Sequence, residues 1–339
     1  MSTERNLAGK PDDSRCLLIT GAAGFIGAGL ARALASSPHT PLLLLDQSEQ
    51  GLIELDRSLV AHTAKYRLLL ANVADRAAMR SLLRRYQPGG IIHAAAYKNV
   101  VMLERQIEAT LLNNAIATFE LVHEARLAGV GQFLLVSTDK AVEPHSILGA
   151  SKRAAELLAL SLDAPGFRVN AIRLGNVLGS TGSVLPTFEQ QLRDRAPLTL
   201  THPDASRWFF TLDETVAFIR EALKAQVNGR VLIPPRSAPL RIVDLARSLS
   251  PQAEITFIGL RPGEKLTESF VASDEAIEKQ LQCGLAVVDG RTLSAEKSAE
   301  SVARLRAALE QGDCSALLEG LRELVPEYVP SQAVLDETQ

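Results

Sequence analysis

The stretch Thr20–Gly27, with the sequence TGAAGFIG, decides the fold class of this chain. It follows an apolar run, Cys16–Thr20, that has the length of a buried strand, and it leads into the amphipathic segment Ile26–Ala35. The glycines are spaced GxxGxxG, and glycines at a strand-to-helix turn let the backbone and the free N–H groups of the helix approach a pyrophosphate. The residues predicted to bind the phosphates are Gly21, Gly24, Phe25, Ile26 and Gly27.

Short apolar runs alternate with amphipathic stretches through the first half of the chain, which predicts an α/β fold with a doubly wound parallel sheet. The predicted strands are Cys16–Thr20, Pro41–Asp46, Tyr66–Leu70, Gly90–Ala94, Gln132–Ser137 and Asn170–Arg173. The predicted helices include Ile26–Ala35, Arg76–Tyr86, Thr110–Ala128 and Ser151–Ser161. After Gly175 the periodicity is lost and Gly and Pro become frequent, which predicts a smaller, loop-rich α/β domain.

Composition excludes several other classes of protein. The chain has 339 residues, 46% of them hydrophobic, and a formal net charge of −3, so it lacks the basic field expected of a nucleic-acid partner. Its three cysteines, Cys16, Cys283 and Cys314, have no CxxC spacing, which predicts reduced thiols, no metal site and a cytoplasmic setting. No signal peptide or long apolar segment is recognisable, so no integral membrane segment is predicted.

The residues after the second and third predicted strands indicate the cofactor. Asp46 ends the second strand, where a carboxylate suits the ribose hydroxyls of NAD and repels the 2′-phosphate of NADP. No Arg or Lys follows within Gln47–Glu54, so NAD is favoured over NADP. Asn72 follows the third strand, with Val73 beside it. The Asn72 amide is placed to hydrogen-bond an adenine edge, and Asn is equally a good turn former.

The residues after the fifth predicted strand carry the chemistry. The run Ser137–Lys140, STDK, brings a hydroxyl, a carboxylate and an amine to the carboxyl end of a buried strand. Open α/β sheets build their sites at that edge. A second amine, Lys152, lies in the first turn of the next predicted helix, and Leu148 is its i,i+4 neighbour on the same face.

These motifs together resemble the extended short-chain dehydrogenases/reductases, which have a Rossmann domain and a smaller substrate domain. Longer motifs narrow the resemblance to the bacterial polysaccharide-biosynthesis family of UDP-N-acetylglucosamine 4,6-dehydratases. The motifs that carry it are Gly21–Gly27, His93–Lys98 (HAAAYK), Asn114, Ser137–Lys140, Gly149–Lys152, Arg173–Ser180 (RLGNVLGS), Gly182–Pro186 (GSVLP), Arg207–Thr211 (RWFFT), Gly259–Leu266 (GLRPGEKL) and Leu324–Tyr328 (LVPEY).

The resemblance implies a redox-neutral dehydration of a UDP-sugar by an enzyme with tightly bound NAD. A hydride leaves sugar C4, the 4-keto group acidifies the C5 proton, water is lost, and the hydride returns at C6. The product is a 4-keto-6-deoxy sugar for surface polysaccharides or glycoconjugates. A homo-oligomer is also implied, with Thr110–Ala128 as either a subunit interface or core.

The resemblance also assigns roles to individual residues. Thr138 corresponds to the hydroxyl that hydrogen-bonds the sugar 4-oxygen, Asp139 to the acid that protonates the leaving 6-hydroxyl, and Lys140 to the base at C5. Lys152 corresponds to the lysine that binds the nicotinamide ribose and biases nearby proton transfers, so it is a predicted catalytic residue as well as a cofactor ligand. Further cofactor contacts are implied for Ala94, Ala95, Ala96 and Asn114. Substrate contacts are implied for Lys98 (sugar), Val184 (uracil), Asn176, Arg207 and Arg261 (diphosphate) and Glu264 (uridine ribose).

Leu148 departs from the family pattern, because relatives usually have a proton-carrying tyrosine there and leucine cannot carry a proton. One branch of the family has Met at this position, which is similar to Leu in size and polarity, so we expect activity to persist. We assign the 4-hydroxyl proton to Asp139, through Thr138 or a water, with Lys140 as the second candidate. Ser146 is another departure, since relatives usually have Asn near this point.

Two other functions remain open from the sequence. The first is a nucleotide-sugar 4-epimerase or oxidoreductase, which would not need an acid aimed at C6. The second is a non-catalytic protein that binds NAD and a UDP-sugar, a hypothesis that Leu148 supports. The predicted domain organisation is a charged, disordered tail at 1–14, an NAD-binding domain at 15–174, a mainly nucleotide-sugar-binding domain at 175–330 with segments returning to the first, and a tail at 331–339.

Overall fold

A computed structural model describes residues 16–36, 40–62, 64–180, 182–235 and 238–338. The predicted tail at 1–14 lies outside these ranges. The strands are β1 (Leu17–Thr20), β2 (Leu42–Asp46), β3 (Tyr66–Leu70), β4 (Gly90–His93), β5 (Gln132–Thr138), β6 (Arg168–Leu174), β7 (Asn176–Val177), β8 (Leu198–Leu200), β9 (Ser206–Arg207), β10 (Phe209–Phe210), β11 (Val231–Ile233), β12 (Leu240–Arg241), β13 (Ile255–Phe257), β14 (Ala276–Gln280) and β15 (Ala286–Asp289).

The helices alternate with these strands through the first half and cluster at the carboxyl end. They are α1 (Phe25–Ala35), α2 (Glu49–Leu59), α3 (Arg76–Tyr86), α4 (Val100–Leu103), α5 (Ile107–Leu111), α6 (Ala117–Leu127), α7 (Ile147–Leu160), α8 (Val184–Arg193), α9 (Leu212–Lys224), α10 (Ile242–Leu249), α11 (Ala295–Gln311), α12 (Cys314–Leu324) and α13 (Gln332–Asp336). A π-helical turn, Leu112–Ile116, joins α5 to α6, and a 3₁₀ turn, Asp139–Ala141, follows β5.

The central sheet has nine strands in the order β14-β15-β11-β6-β5-β4-β1-β2-β3. Every pair from β11 to β3 is parallel, and β15 and β14 add an antiparallel edge. The leucine and isoleucine runs of β1, β2 and β4 are buried on both faces, as parallel strands between helices must be. This arrangement confirms the predicted α/β, doubly wound parallel sheet.

Helices cover both faces of the sheet. Apolar residues of α1, α2 and α9 pack on one face, and those of α3, α5, α6, α7, α11 and α12 pack on the other. Helix α7 is buried along almost its whole length, so the segment after β5 is anchored in the core. Within the described ranges, no helix has both the length and the apolar composition that crossing a membrane requires.

The structure corrects three predicted boundaries. The segment Thr110–Ala128 is not one helix, because the π-helical turn interrupts it. Helix α7 begins at Ile147 rather than Ser151, since Ser146 caps it by accepting a hydrogen bond from the Gly149 N–H, and Lys152 therefore lies beyond the first turn. The segment 331–339, predicted as a tail, contains α13, which is capped by Ser331.

The second half of the chain contributes to both parts of the molecule. Strands β11 and β15 extend the central sheet, whereas β8 pairs with β13 and β9 with β12 in small separate sheets. A third apolar cluster forms between α8, β8 and α10, with Phe188, Leu198 and Ile242 among its members. The division into two domains stays a prediction, but this cluster is where the smaller one would have its core.

Candidate active site

A cleft of about 270 Å³ opens at the carboxyl ends of β1, β2, β3 and β4. The order of the sheet reverses direction between β1 and β4, and an open α/β sheet leaves a crevice at such a point. The predicted residues that line the cleft are Gly21, Gly24, Asp46, Asn72, Val73, Ala94, Ala95 and Ala96. The sequence did not single out the lining residues Ala23, Gln47, Ser48, Tyr97 and Asn113.

Two glycines of the first turn are required by the space around them. Gly21 has φ +68°, and a Cβ atom there would lie 2.6 Å from the Ala95 nitrogen. A Cβ atom on Gly27 would lie 2.0 Å from the Gly21 carbonyl oxygen. The turn after β1 therefore packs directly on the backbone after β4. The predicted residues Phe25, Ile26 and Gly27 begin α1 beside the cleft but are not among the residues that line it.

Replacing Gly21 by alanine should destabilise the protein by about 2–5 kcal/mol, the sum of left-handed backbone strain and a backbone clash. Gly166→Ala is the matched control, because Gly166 also has a positive φ, +81°, but its Cβ would meet nothing within 4 Å. Urea unfolding of the two variants measures the difference. Equal losses of unfolding free energy would contradict the close packing of Gly21 on Ala95.

Asp46 is fixed at the end of β2 by two backbone donors. Its Oδ2 accepts a hydrogen bond from the Ala23 N–H at 3.0 Å and its Oδ1 from the Ser48 N–H at 2.9 Å. Each carboxylate oxygen keeps a further lone pair, so the group can still accept from two ribose hydroxyls. Asn72 forms a turn, since its Oδ1 accepts from the Ala74 N–H at 2.8 Å, and its NH₂ keeps its donors. The side of the cleft formed by Asp46 and Asn72 therefore has groups that fit a dinucleotide whose pyrophosphate lies near the start of α1.

Asn114, predicted to bind the cofactor, is fully buried behind the cleft wall. Its Oδ1 accepts from the Tyr97 N–H at 2.9 Å, while its Nδ2 donates to the Tyr97 carbonyl at 3.1 Å and to the Ser151 hydroxyl at 3.2 Å. The neighbouring Asn113 lines the cleft instead. Asn114 therefore ties the loop after β4 to α7, and the π-helical turn is what presents both asparagines.

His93 is structural. Thr118 donates its hydroxyl hydrogen to the Asn114 carbonyl at 2.8 Å, so it accepts from His93 Nε2 at 3.0 Å. His93 Nδ1 then accepts from the Thr20 hydroxyl at 2.7 Å. Burial, aided by the charge of Lys152, lowers the pKa of His93 to about 3, so the imidazole is neutral at physiological pH.

Thr138, Asp139 and Lys140 meet at the end of β5, the strand next to β4. The Thr138 hydroxyl donates to Asp139 Oδ1 at 3.0 Å, and Lys140 Nζ donates to the same oxygen at 3.0 Å. Asp139 is fully buried, and its Oδ2 is without a hydrogen-bond partner among the described residues. Lys140 Nζ also donates to Asn176 Oδ1 at 2.9 Å. The structure thus brings three of the four predicted catalytic residues together and adds Asn176.

Lys152 lies beneath this cluster, with its ammonium group on the Val136 carbonyl at 2.8 Å. Burial lowers the pKa of Lys152 to about 8, against the opposing charge of Glu156 one turn along α7. Leu148 is buried in the apolar core between the helices. The face of α7 that would carry a tyrosine therefore offers no proton donor next to Lys152 at this position.

A buried ionic cluster behind β5 was not predicted from the sequence. Arg173 donates to both oxygens of Glu156, at 3.0 and 2.7 Å, and to both oxygens of Glu275, at 2.6 and 2.8 Å. The Ser137 hydroxyl donates to Glu156 at 2.6 Å, and Arg153 adds a second guanidinium group. Burial alone would raise the pKa of Glu156, but these guanidinium groups lower it, so the carboxylate is ionised. The sequence signal for this cluster was Arg173, a charged residue in a predicted buried strand.

The predicted substrate residues from the second half are mostly bound to protein groups. Arg207 donates to the carbonyls of Ser206, Lys265 and Leu266, and so fixes the segment that follows Arg261. Arg261 and Glu264 pair with each other, with Arg261 Nη2 2.7 Å from Glu264 Oε1. Lys98 lies exposed after β4, and Val184 begins α8. Their roles as substrate ligands stay predictions.

The model of the family described as "Polysaccharide biosynthesis protein" matches residues 17–288. The Bacillus subtilis (strain 168) protein described as "Probable polysaccharide biosynthesis protein EpsC" is 34% identical over 79% of this chain. The chain spans about half the length of that relative, 46%. A Campylobacter jejuni "UDP-N-acetylglucosamine 4,6-dehydratase (inverting)" is 28% identical, covering 77% of this chain and 78% of its own.

Other matches include a second activity and a solved structure. A Rickettsia rickettsii "UDP-glucose 4-epimerase" is 30% identical, covering 77% of this chain and 79% of its own. The X-ray structure of Pen from Bacillus thuringiensis superposes with a TM-score of 0.70 at 26% identity, covering 75% of this chain and 82% of that one.

Proposed function

The chain belongs to the polysaccharide biosynthesis protein family, and on that premise we propose that it is an NAD-dependent nucleotide-sugar 4,6-dehydratase. Its substrate is a UDP-N-acetylhexosamine, with UDP-N-acetylglucosamine as the first candidate because of the similarity to the Campylobacter jejuni dehydratase. The observation that carries the proposal is the buried Asp139 beside Lys140. Its Oδ2 is buried and has no hydrogen-bond partner among the described residues, and the pair lies at the end of β5, one strand from the cleft.

The cleft residues hold the dinucleotide and the loops of the second half hold the substrate. Gly21–Gly27 would take the pyrophosphate, Asp46 the adenosine ribose, and Lys152 the nicotinamide ribose. When bound, NAD supplies the redox chemistry by taking a hydride from sugar C4 and returning it at C6. The protein's own groups then have to move two protons, one from the 4-hydroxyl and one from C5.

Asp139 and Lys140 divide this work. The Thr138 hydroxyl, which donates to Asp139 at 3.0 Å, relays the 4-hydroxyl proton to that carboxylate, because Leu148 cannot take it. Lys140 removes the proton at C5, which the 4-keto group has made acidic. Asp139 then returns its proton to the departing 6-hydroxyl, which leaves as water. Burial of Asp139 keeps this proton from exchanging with bulk water.

Asp46 sets the choice of cofactor. Asp46→Ala should weaken NAD binding about 10- to 100-fold, because charge-assisted hydrogen bonds to the ribose are worth about 1.5–3 kcal/mol. NADP binding should weaken less or improve, since the repulsion of its phosphate is removed. Titration calorimetry with both dinucleotides measures the two affinities. A parallel loss for NAD and NADP would indicate that Asp46 only organises the Ala23 turn.

Proton NMR with UDP-N-acetylglucosamine and catalytic NAD in D₂O tests the proposed activity. A new C6 methyl signal, together with a 4-keto or hydrated product, would establish the dehydration. If the substrate stayed unchanged while saturation-transfer signals showed it bound, the chain would be a binding protein, as Leu148 permits. The proposal would then fail.

A nucleotide-sugar 4-epimerase is the second candidate function, favoured by the similarity to the Rickettsia rickettsii epimerase. An epimerase returns the hydride to C4 and leaves the 6-hydroxyl in place. The same NMR spectrum separates the two, because epimerisation moves the H4 signal and produces no methyl group. The buried acid at Asp139 is the feature that an epimerase would not need.

A further inference from the structure

Lys140 is held by acceptors from two different elements. Its Nζ lies 3.0 Å from Oδ1 of Asp139, which follows β5, and 2.9 Å from Oδ1 of Asn176, which begins β7. Asn176 is itself fixed, because its backbone N–H donates to the Trp208 carbonyl at 2.8 Å and β7 pairs with β10. The amide oxygen of Asn176 therefore stands at a set place beside the amine.

The number of hydrogens on the amine decides what this arrangement does. An ammonium group has three N–H bonds and no lone pair, whereas a neutral amine has two N–H bonds and one lone pair. When both hydrogens of neutral Lys140 point at Asp139 and Asn176, the lone pair occupies the remaining tetrahedral direction. Two fixed acceptors thus define where a base at this position can take a proton.

We propose that Asn176 is a positioning residue that aims the lone pair of Lys140 at the sugar through its side-chain oxygen, a role separate from the diphosphate contact that the resemblance implies. The inference rests on the proposed dehydration, in which Lys140 is the base at C5. It explains why an amide, which has an uncharged acceptor, stands opposite Asp139. A second carboxylate at this place would favour the ammonium form and remove the lone pair.

The protons balance through the cycle. The proposed cycle requires an ionised Asp139 and a neutral Lys140 at its start. The 4-hydroxyl proton moves to Asp139, and the C5 proton then moves to the Lys140 lone pair as the C6–O bond breaks. The Asp139 proton leaves with the 6-oxygen as water, and Lys140 returns its proton to C5. Both residues end in their starting forms, and Nζ can keep donating to Asp139 and Asn176 throughout.

The test compares Asn176→Ala with Asn228→Ala, a control at an exposed position between α9 and β11. Two quantities are measured: the rate of deuterium exchange at C5 at saturating UDP-N-acetylglucosamine in D₂O, and the dissociation constant of UDP by calorimetry. We expect Asn176→Ala to slow the exchange about 10- to 100-fold, because a misaimed base loses effective concentration. The dissociation constant of UDP reports any phosphate contact of Asn176 separately, because exchange at saturating substrate does not depend on affinity. The control should change neither quantity.

Asn176→Asp is the second variant, chosen because it has nearly the same shape and should leave the fold intact. It should also slow the exchange, because its negative charge favours the protonated form of Lys140. A tenfold or larger loss of UDP affinity in Asn176→Ala, with wild-type exchange at saturation, would make Asn176 a diphosphate ligand and overturn the inference. Wild-type exchange in both variants would overturn it as well. Absence of exchange in the wild-type protein would instead remove the proposed dehydration on which the inference rests.

Discussion

Asp139→Asn should slow the dehydration by about 10²- to 10⁴-fold in kcat, the range that a positioned general acid–base contributes. The substitution keeps the shape of a fully buried side chain but removes the group that receives the 4-hydroxyl proton through Thr138. We therefore expect the first step to slow too, so that the 4-keto sugar forms more slowly in a single turnover. Quenched single-turnover samples analysed by NMR provide the measurement.

Asp274→Asn is the matched control, because Asp274 is an exposed aspartate outside the cluster, and it should retain wild-type turnover. A 4-keto sugar that still forms at the wild-type rate in Asp139→Asn would show that another group accepts the 4-hydroxyl proton. Lys140, whose amine shares the same carboxylate oxygen, is the second candidate. Lys140→Met would then be the variant that blocks the first step.

Arg173→Met should destabilise the protein by about 3–5 kcal/mol, because removing one partner of a buried ion pair leaves uncompensated charge. Arg173 is fully buried and bridges Glu156 on α7 to Glu275 ahead of β14. Methionine fills a similar length but donates no hydrogen bond. The free energy of unfolding in urea is the measured quantity.

Two comparisons sharpen this prediction. Arg230→Met removes the half-exposed pair with Glu278, which has a similar N–O distance of 3.0 Å, and should cost no more than about 1 kcal/mol. The triple variant Arg173→Met, Glu156→Gln and Glu275→Gln should recover part of the loss, since it leaves fewer unpaired charges in the cluster. A small loss in Arg173→Met would mean that water or Arg153 compensates the carboxylates.

The parts of the site that lie within one strand-to-helix connection could be predicted from the sequence. The turn Thr20–Gly27 carries its own strand, glycines and helix, and Asp46 ends a run of leucines, so local pattern locates both. The run Thr138–Lys140 follows an apolar strand for the same reason. Parallel strands in register then bring these ends to one edge without further information.

The parts that depend on distant segments could not be predicted. Asn176 meets Lys140 only because β7 pairs with β10 beside the turn after β5, and no local pattern encodes that contact. Glu275 and Arg173 come together across about a hundred residues of chain, 102 apart. The break in the helix at Leu112–Ile116 also lacks a Gly or Pro signal, since it is fixed by the bonds of Asn114 to Tyr97. The pair Arg153–Glu156, three residues apart on α7, could have been predicted from local spacing. The pair Arg261–Glu264 has the same spacing but does not lie on a helix.

Helix α6 is covered by the late helices α11 and α12. Its two buried glutamates are held by arginines from both sides: Glu120 by Arg306 of α11, and Glu124 by Arg76 and Arg80 of α3. Apolar residues of α11 and α12 belong to the same core as α6. From the sequence, the segment Thr110–Ala128 could be either a subunit interface or core. In the structure its apolar residues belong to the core.

This arrangement has a consequence for the order of synthesis. A growing chain that has only reached β11 already contains α6 but none of α11. Until α11 has been synthesised, the apolar face of α6 and the Glu120 carboxylate lack the residues that cover them in the folded protein. Transiently exposed apolar surface of this kind is where nascent chains associate wrongly. Helices α11 and α12 therefore cover this core late in synthesis, and the half that contains α6 reaches its finished surface only after translation has passed Leu324, the end of α12.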